Sequence, residues 1–197
     1  MTAAKLEEKN VLLCHTMFKD EALLAKYHDK YILVDGGAAP LDIVKLANQY
    51  GYKLAVSNFE VLALYKGVSA IGSIDFGGNK NKMAMMVAVL CKRLGKSAET
   101  LREELKFHAV LIFSSPFPTS FPSFCQVICD ICSSTDGSLL GPRRNPEKDE
   151  QFTQIIMTNP DLIFKSQWPR PRFAAYACTV MLTALFEKTH GYELKYE

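Results

Sequence analysis

Short apolar runs alternate along the chain with segments in which apolar residues recur at helical spacing. Four runs are typical of buried parallel strands, and they cover residues 31–34, 53–57, 108–113 and 155–157. The helical spacing occurs in residues 19–28, 41–50, 82–94, 98–106, 121–132 and 173–188, and residues 59–65 suggest a short helix or a turn. This alternation predicts an α/β fold in which a mainly parallel sheet has helices on both faces.

Other segments give more specific expectations. The apolar run at 11–14 suggests a further strand, and the run at 155–157 suggests a fully buried one. Residues 82–94 are apolar on most sides, so we expect a helix that is deeply buried or lies in an interface. The glycine-containing segment 67–81 is expected to be a flexible connection, and the loop 133–150, rich in glycine, proline and charge, to lie on the surface.

Polar side chains follow the strand at 155–157. Pro160 cannot donate to a sheet ladder, so Thr158, Asn159 and Asp161 collect at the carboxyl end of this strand. Ligands of open α/β sheets bind at that edge. A second polar segment, 114–118, follows the strand at 108–113 in the same way.

The connector after this strand is stiff and cationic, with the sequence Trp168-Pro169-Arg170-Pro171-Arg172. Its two guanidinium groups suit an anionic ligand, but they equally suit pairing with nearby acids. For Asn159 and Asp161 the alternative to a ligand role is structural: Asn159 caps the following turn and Asp161 pairs with Arg170.

Composition narrows the class of protein. The chain has 197 residues, of which 48% are hydrophobic and 22% charged, as expected of a soluble globular domain. The net charge of +2 gives no electrostatic support for a nucleic acid or an anionic membrane as partner. No apolar stretch is long enough to span a membrane, and residues 1–10 have no apolar signal core, so an intracellular protein is expected.

Several patterns resemble catalytic or metal sites, but a role in the turns or the core of the fold explains them better. Asp35-Gly36-Gly37-Ala38-Ala39-Pro40 lacks the remaining residues of a phosphate-binding loop, and a tight turn is favoured. Cys125, Cys129 and Cys132 lie on one helix face among apolar residues, so we expect reduced, buried thiols. The acids are scattered, and no metal site or catalytic residue is predicted.

The order of several motifs resembles one family. Thr158-Asn159-Pro160-Asp161, then Pro171-Arg172-Phe173, and a helix ending in Glu187-Lys188-Thr189-His190-Gly191-Tyr192-Glu193-Leu194 resemble class IIA of the haloacid-dehalogenase (HAD) superfamily, in its cat-eye-syndrome critical region type. The opening run at 11–17, the strands at 31–34 and 108–113, and Gln49-Tyr50-Gly51-Tyr52 follow the same pattern.

The resemblance implies the α/β cap of such a protein, over residues 11–197, with residues 1–10 disordered. Complete members carry a nucleophilic Asp-x-Asp motif, a lysine and a Mg²⁺-binding acidic pair in a core domain. This chain contains no Asp-x-Asp, so no cofactor is expected to bind to it alone. Alanines at 174 and 175 replace the family's glycines, and Met17 replaces a proline.

The resemblance implies that Asn159, Asp161, Arg172 and His15 face the substrate or the core. The expected function is the cap, or substrate-specificity, portion of a magnesium-dependent phosphatase-type hydrolase, inactive by itself. Its partners are then the missing core segment or a partner subunit and a phosphorylated small molecule, with self-association as a further expectation. The alternative is a non-catalytic α/β binding or assembly module derived from that family, in an organellar complex. The expected location is cytoplasmic or mitochondrial.

Overall fold

Four parallel strands form the central sheet, in the spatial order β2-β1-β3-β4. The computed structural model describes residues 12–35, 40–65, 67–68, 80–113, 121–165 and 169–197. A separate antiparallel pair consists of two very short strands, β5 and β6. The strands are β1 (Tyr31–Asp35), β2 (Ala55–Ser57), β3 (Phe107–Ile112), β4 (Gln154–Met157), β5 (Ile163–Phe164) and β6 (Arg172–Phe173).

Eight helices occur in the described part of the chain. They are α1 (12–18), α2 (Glu21–Tyr27), α3 (Pro40–Gln49), α4 (Asn58–Leu64), α5 (Lys80–Leu94), α6 (Ala98–Glu104), α7 (Phe121–Cys132) and α8 (Ala175–His190). Helices α1 to α3 bury side chains against one face of the sheet, and α4 to α8 bury side chains against the other. The predicted parallel α/β sheet with helices on both faces is therefore confirmed.

The two central strands divide their side chains between two cores. Leu33 and Val110 point into the larger core with α4 to α8, whereas Ile32 and Leu111 point into the smaller core with α1 to α3. Both faces of these strands are thus buried, which explains why their sequences are continuous apolar runs without alternation.

Helix α3 connects β1 to its parallel neighbour β2 and completes a βαβ unit. Gly51 ends the helix with a φ of 100°, and the Tyr52 amide donates to the carbonyl of Ala47 at 3.1 Å. A left-handed residue after the last helical turn favours glycine because glycine has no Cβ. Gly51 therefore caps α3 at its carboxyl end.

The apolar run at 11–14 was predicted as a strand, and this prediction is wrong: residues 12–18 are helical. Cys14 and Phe18, four residues apart, are both fully buried in the smaller core. This spacing belongs to one face of a helix, and a four-residue apolar run alone does not distinguish the two structures.

Strand β4 was predicted to be fully buried, but it lies at the edge of the sheet, and only Ile155 is buried. The last residue of the chain lies along its outer edge. The Met157 amide donates to the Glu197 carbonyl at 2.9 Å, and the Glu197 amide donates to the Ile155 carbonyl at 2.9 Å. These two bonds have the pattern of parallel pairing, so Glu197 covers part of an otherwise open edge.

Two helices expose apolar residues that the sequence suggested would be buried. In α5 only Leu90 is fully buried, and Met85 and Val89 are 67% and 55% exposed, so the deeply buried alternative for this helix is wrong. In α8 Val180 and Leu185 are also exposed. The buried side of α8 instead consists of Ala175, Ala177, Thr179, Leu182 and Phe186.

The segment 133–150 was expected to be a surface loop, yet part of it is packed into the fold. Ser133, Ser134 and Leu139 are buried, and Ser134 forms an antiparallel bridge with Arg143. The Phe107 amide donates to the Gly137 carbonyl at 2.8 Å, which attaches the loop to β3.

Four predictions fall wholly or mostly outside the described residues: the disordered segment 1–10, the tight turn at 35–40, the flexible connection at 67–81, and the polar segment 114–118. No helix in the described ranges has the length and apolar character needed to cross a bilayer.

Candidate functional site

The strand order identifies one position at the carboxyl edge of the sheet. After β1 the chain crosses to β2 on one side, and it later returns to β3 on the other side of β1. In open α/β sheets this reversal opens a crevice in which ligands bind. Strand β4 lies two strand spacings from β1, roughly 10 Å away, so side chains at its carboxyl end border the same edge.

Two buried polar side chains lie at this reversal. Val34 and Ser57 are register partners, so the next residues, Asp35 and Asn58, end β1 and start α4 side by side. Asp35 is 2% exposed and Asn58 is 1% exposed. The Asn58 Oδ1 atom accepts no hydrogen bond within the described residues. A buried carboxylate beside a buried amide is suited to hold a polar group of a ligand.

The start of α4 is fixed by a buried hydrogen-bond network. The Ser57 side chain accepts from the Glu60 amide at 3.2 Å, and the Glu60 carboxylate accepts from the Ser57 amide at 2.8 Å. Arg93 of α5 donates to Glu60 at 2.8 Å and to the carbonyl of Ala55 at 2.6 Å. This network fixes the direct junction of β2 with α4, and thereby the position of Asn58.

Asn159 and Asp161 form one tight turn directly after β4. The Asp161 amide donates to the Asn159 Oδ1 atom at 3.0 Å, and the Asp161 carbonyl accepts from the Tyr176 amide at 3.1 Å at the start of α8. The structural role considered for Asn159, capping of the turn, is therefore observed. A substrate role for Asn159 and Asp161 stays a prediction.

Arg172 lies on the hairpin that follows this turn. It is exposed in β6, is paired with Phe164 of β5, and its Nε atom donates to the carbonyl of Arg170 at 3.4 Å. Ile163 and Phe173 are register partners in the same hairpin and are 54% and 78% exposed. The structure thus places Asn159, Asp161 and Arg172 on one continuous segment after β4.

His15 lies elsewhere. Its Nδ1 atom is 2.7 Å from the hydroxyl of Tyr50, and their rings make an edge contact. Tyr50 follows α3, where the chain turns into the start of β2, so this pair lies at the amino edge of the sheet. The structure does not bring His15 together with Asn159, and its predicted substrate role remains a prediction.

The described residues contain no cluster of metal-ligating side chains. No group of three or more His, Cys, Asp or Glu side chains among them could hold a metal. The Mg²⁺ implied by the family resemblance is therefore not assigned to this part of the chain, and no step is derived through it.

The cysteines are free thiols in apolar surroundings. Burial raises the pKa of Cys14, Cys125 and Cys129 to about 12, so these groups are protonated at neutral pH and are poor nucleophiles. Cys129 and Cys132 also have Cys-x-x-Cys spacing. Burial raises the pKa of Cys132 as well, whereas redox pairs of this spacing need a lowered one.

Sequence reasoning missed Asn58 and the Ser57–Glu60–Arg93 network. Ser57 and Glu60 have the Ser-x-x-Glu spacing of a capping box after an apolar run, so this part was recognisable. Nothing in the sequence marks Arg93 as the partner of Glu60, because the two residues lie on different helices.

No protein-family model matches this sequence, and no curated protein matches it either.

Proposed function

We propose that this chain is the cap, or substrate-specificity, portion of a HAD-like, magnesium-dependent phosphatase-type hydrolase that acts on a phosphorylated small molecule. It is not catalytically competent by itself and works with a core segment or partner subunit that carries the nucleophile and the metal. The observation that carries the proposal is the segment after β4, in which a polar turn continues directly into a hairpin with exposed apolar side chains.

A cap needs an apolar surface as well as a polar one. It must exclude water from the reacting phosphoryl group, which requires apolar side chains that become buried on closure. Ile163 and Phe173 supply such side chains on the β5–β6 hairpin. Exposed aromatic and aliphatic groups of this size are costly in water and are stabilised when a second surface covers them.

A cap also supplies groups that recognise the substrate. Asn159 presents an amide at the turn, and Arg172 presents a guanidinium group, which can bind a phosphate through two parallel hydrogen bonds. Both belong to the segment that carries the apolar hairpin, so closure of this segment would bring recognition and water exclusion to one place. Asp35 and Asn58 at the reversal point add two buried polar side chains at the same edge of the sheet.

The proposal is tested first on the native protein. Intact mass and the flanking reading frame are determined from the source, and we expect a longer polypeptide, or a tightly bound partner, that contains Asp-x-Asp and the lysine and acidic pair of the core domain. The isolated chain should not hydrolyse an aryl phosphate with Mg²⁺. Magnesium-dependent turnover by the isolated chain that is lost in Asp35→Asn would overturn the proposal.

A second test uses the complete protein or complex. Phe173→Asp and Arg172→Gln should lower kcat/KM for the aryl phosphate, by about tenfold or more, because they remove water exclusion and phosphate binding respectively. Leu140→Asp serves as the control, since Leu140 is 85% exposed on the loop 133–150, away from this segment. Equal activity of all three variants would contradict the assignment of the hairpin as a substrate-facing surface.

A second candidate function is a non-catalytic binding or assembly module. Met85 and Val89 favour it, because they lie one helical turn apart on α5 and both are mostly exposed. A native protein of 22.1 kDa that purifies in a complex without any HAD core would support this function and contradict the first.

A further inference from the structure

Arg144 is a buried cation at the amino edge of the sheet. It lies in the loop 133–150 after α7, where its amide donates to the Ser133 carbonyl at 2.7 Å, and only 7% of the residue is exposed. Helix α7 starts after the carboxyl end of β3, so its last turn and the neighbouring end of α8 lie at the opposite end of the sheet from the candidate site.

The Arg144 guanidinium group has few of the partners that a buried charge requires. Its Nε atom is buried and has no hydrogen-bond acceptor, and no ion pair of Arg144 occurs in the described residues. The nearby acid Asp130 is already engaged, because its Oδ1 atom accepts from Arg143 at 3.3 Å and from Gln126 at 3.1 Å. Burial of an uncompensated charge lowers the stability of the folded state, so we expect Arg144 to have a partner outside the described residues.

The surroundings of Arg144 are aromatic and positively charged. Its guanidinium carbon lies 4.6 Å from the centroid of the Tyr192 ring, a cation–π contact that holds the group in place. The Tyr192 ring also neighbours the ring of His190, with 6.0 Å between their centroids. Burial, together with the charges of Arg143 and Arg144, lowers the pKa of His190, and the carboxylate of Asp130 opposes this shift in part.

We propose that Arg144 anchors an oxyanion-binding site, formed with His190 and Arg143, for a phosphate or carboxylate group of a ligand. A planar guanidinium fork matches both groups, and the partial exposure of His190 and Arg143 leaves an approach from solvent. The site is independent of the proposed cap function, because it rests on a different end of the fold.

The test follows the His190 imidazole by NMR during titration with inorganic phosphate at constant ionic strength, with chloride as the replaced anion. We expect a saturable change in the His190 signals and a rise in its pKa, since a bound anion offsets the two arginine charges. Acetate titrated in parallel distinguishes a carboxylate site from a phosphate site.

Arg144→Gln should weaken the apparent phosphate affinity by about tenfold or more, because it removes a charge-assisted hydrogen bond. Arg144→Lys, which keeps the charge but loses the fork, should weaken it less and provides the test if the glutamine variant does not fold. Arg170→Gln, an exposed arginine on the β5–β6 connector, is the matched control and should bind as the wild type does. Absence of a saturable His190 response in the wild-type protein, or an unchanged response in both Arg144 variants, would overturn the proposal.

Discussion

Arg93 on α5 donates a 2.8 Å hydrogen bond to the carboxylate of Glu60, which is only 1% exposed. The Arg93 side chain is itself mostly buried. Loss of Arg93 leaves a buried carboxylate without its counter-charge, so Arg93→Met should lower the free energy of unfolding by about 2 to 3 kcal/mol. Urea denaturation at pH 7 measures the change.

The double variant Glu60→Gln/Arg93→Met separates the charge from the packing. Glutamine keeps an acceptor for the Ser57 amide but carries no charge, so the double variant should regain part of the stability that Arg93→Met loses. Arg170→Met provides the matched control, since Arg170 is exposed, and it should leave the unfolding free energy unchanged. A double variant as unstable as the sum of the two single variants would show that the pair does not act as a unit.

Gly137 tests whether the loop 133–150 is part of the packed fold. Its φ is 73°, and a Cβ added there would lie 2.3 Å from the Phe107 carbonyl oxygen. Gly137→Ala should therefore cost about 3 kcal/mol or more, since the backbone of the loop or of β3 must move.

Gly95 is the control for backbone strain alone. Its φ of 66° is similar, but a Cβ there would meet no atom within 4 Å, so Gly95→Ala should cost only about 1 kcal/mol. The comparison is made by thermal and urea unfolding. If both variants lose the same free energy of unfolding, the contact between the loop and β3 contributes nothing to stability.

The central strands could be predicted from sequence because both of their faces are buried. Leu33 and Val34 point into different cores and are both fully buried, so the run is apolar at every position. Residues 11–14 show the limit of the same argument. That run is also apolar throughout. The burial of Phe18 one turn later favours a helix, but the burial of this side chain depends on tertiary contacts that the run itself does not show.

The candidate site was predictable only where its signal is local. Pro160 ends β4, and this alone placed Asn159 and Asp161 in a polar turn at the strand's carboxyl end. The β5–β6 hairpin was missed because strands of two residues are too short to show a periodic pattern. The Glu60 and Arg93 pair was missed because it joins two helices, and the spacing of residues along one chain carries no sign of such contacts.

His108 should make stability depend on pH below neutrality. Burial, with a smaller contribution from the Lys30 ammonium group, lowers the pKa of His108 in the folded state. The folded protein then binds a proton less readily than the unfolded chain, whose histidine pKa is about 6.5. This contribution to stability is complete above about pH 6.5 and is lost as the pH falls through the folded-state pKa.

Unfolding free energies at pH 7.5, 6.5 and 5.5 measure this loss. His108→Gln should reduce the change of the unfolding free energy with pH over that range. NMR titration of the His108 ring provides an independent check, and its pKa should lie below the value of the unfolded chain. An unchanged slope in His108→Gln, with a ring pKa at or above the unfolded value, would contradict this account.

Helix α5 should promote self-association through Met85 and Val89. These side chains are mostly exposed and lie on one face of the helix, and a pair of such faces buries apolar surface when two copies meet. Sedimentation velocity over a range of concentrations should show a reversible rise in the mean sedimentation coefficient.

Met85→Lys with Val89→Lys should abolish the rise without lowering stability, because exposed positions tolerate charge. Leu140→Lys, at another exposed apolar position, should leave the association unchanged. A monomer at every concentration would instead mean that α5 does not form an interface between copies of this chain.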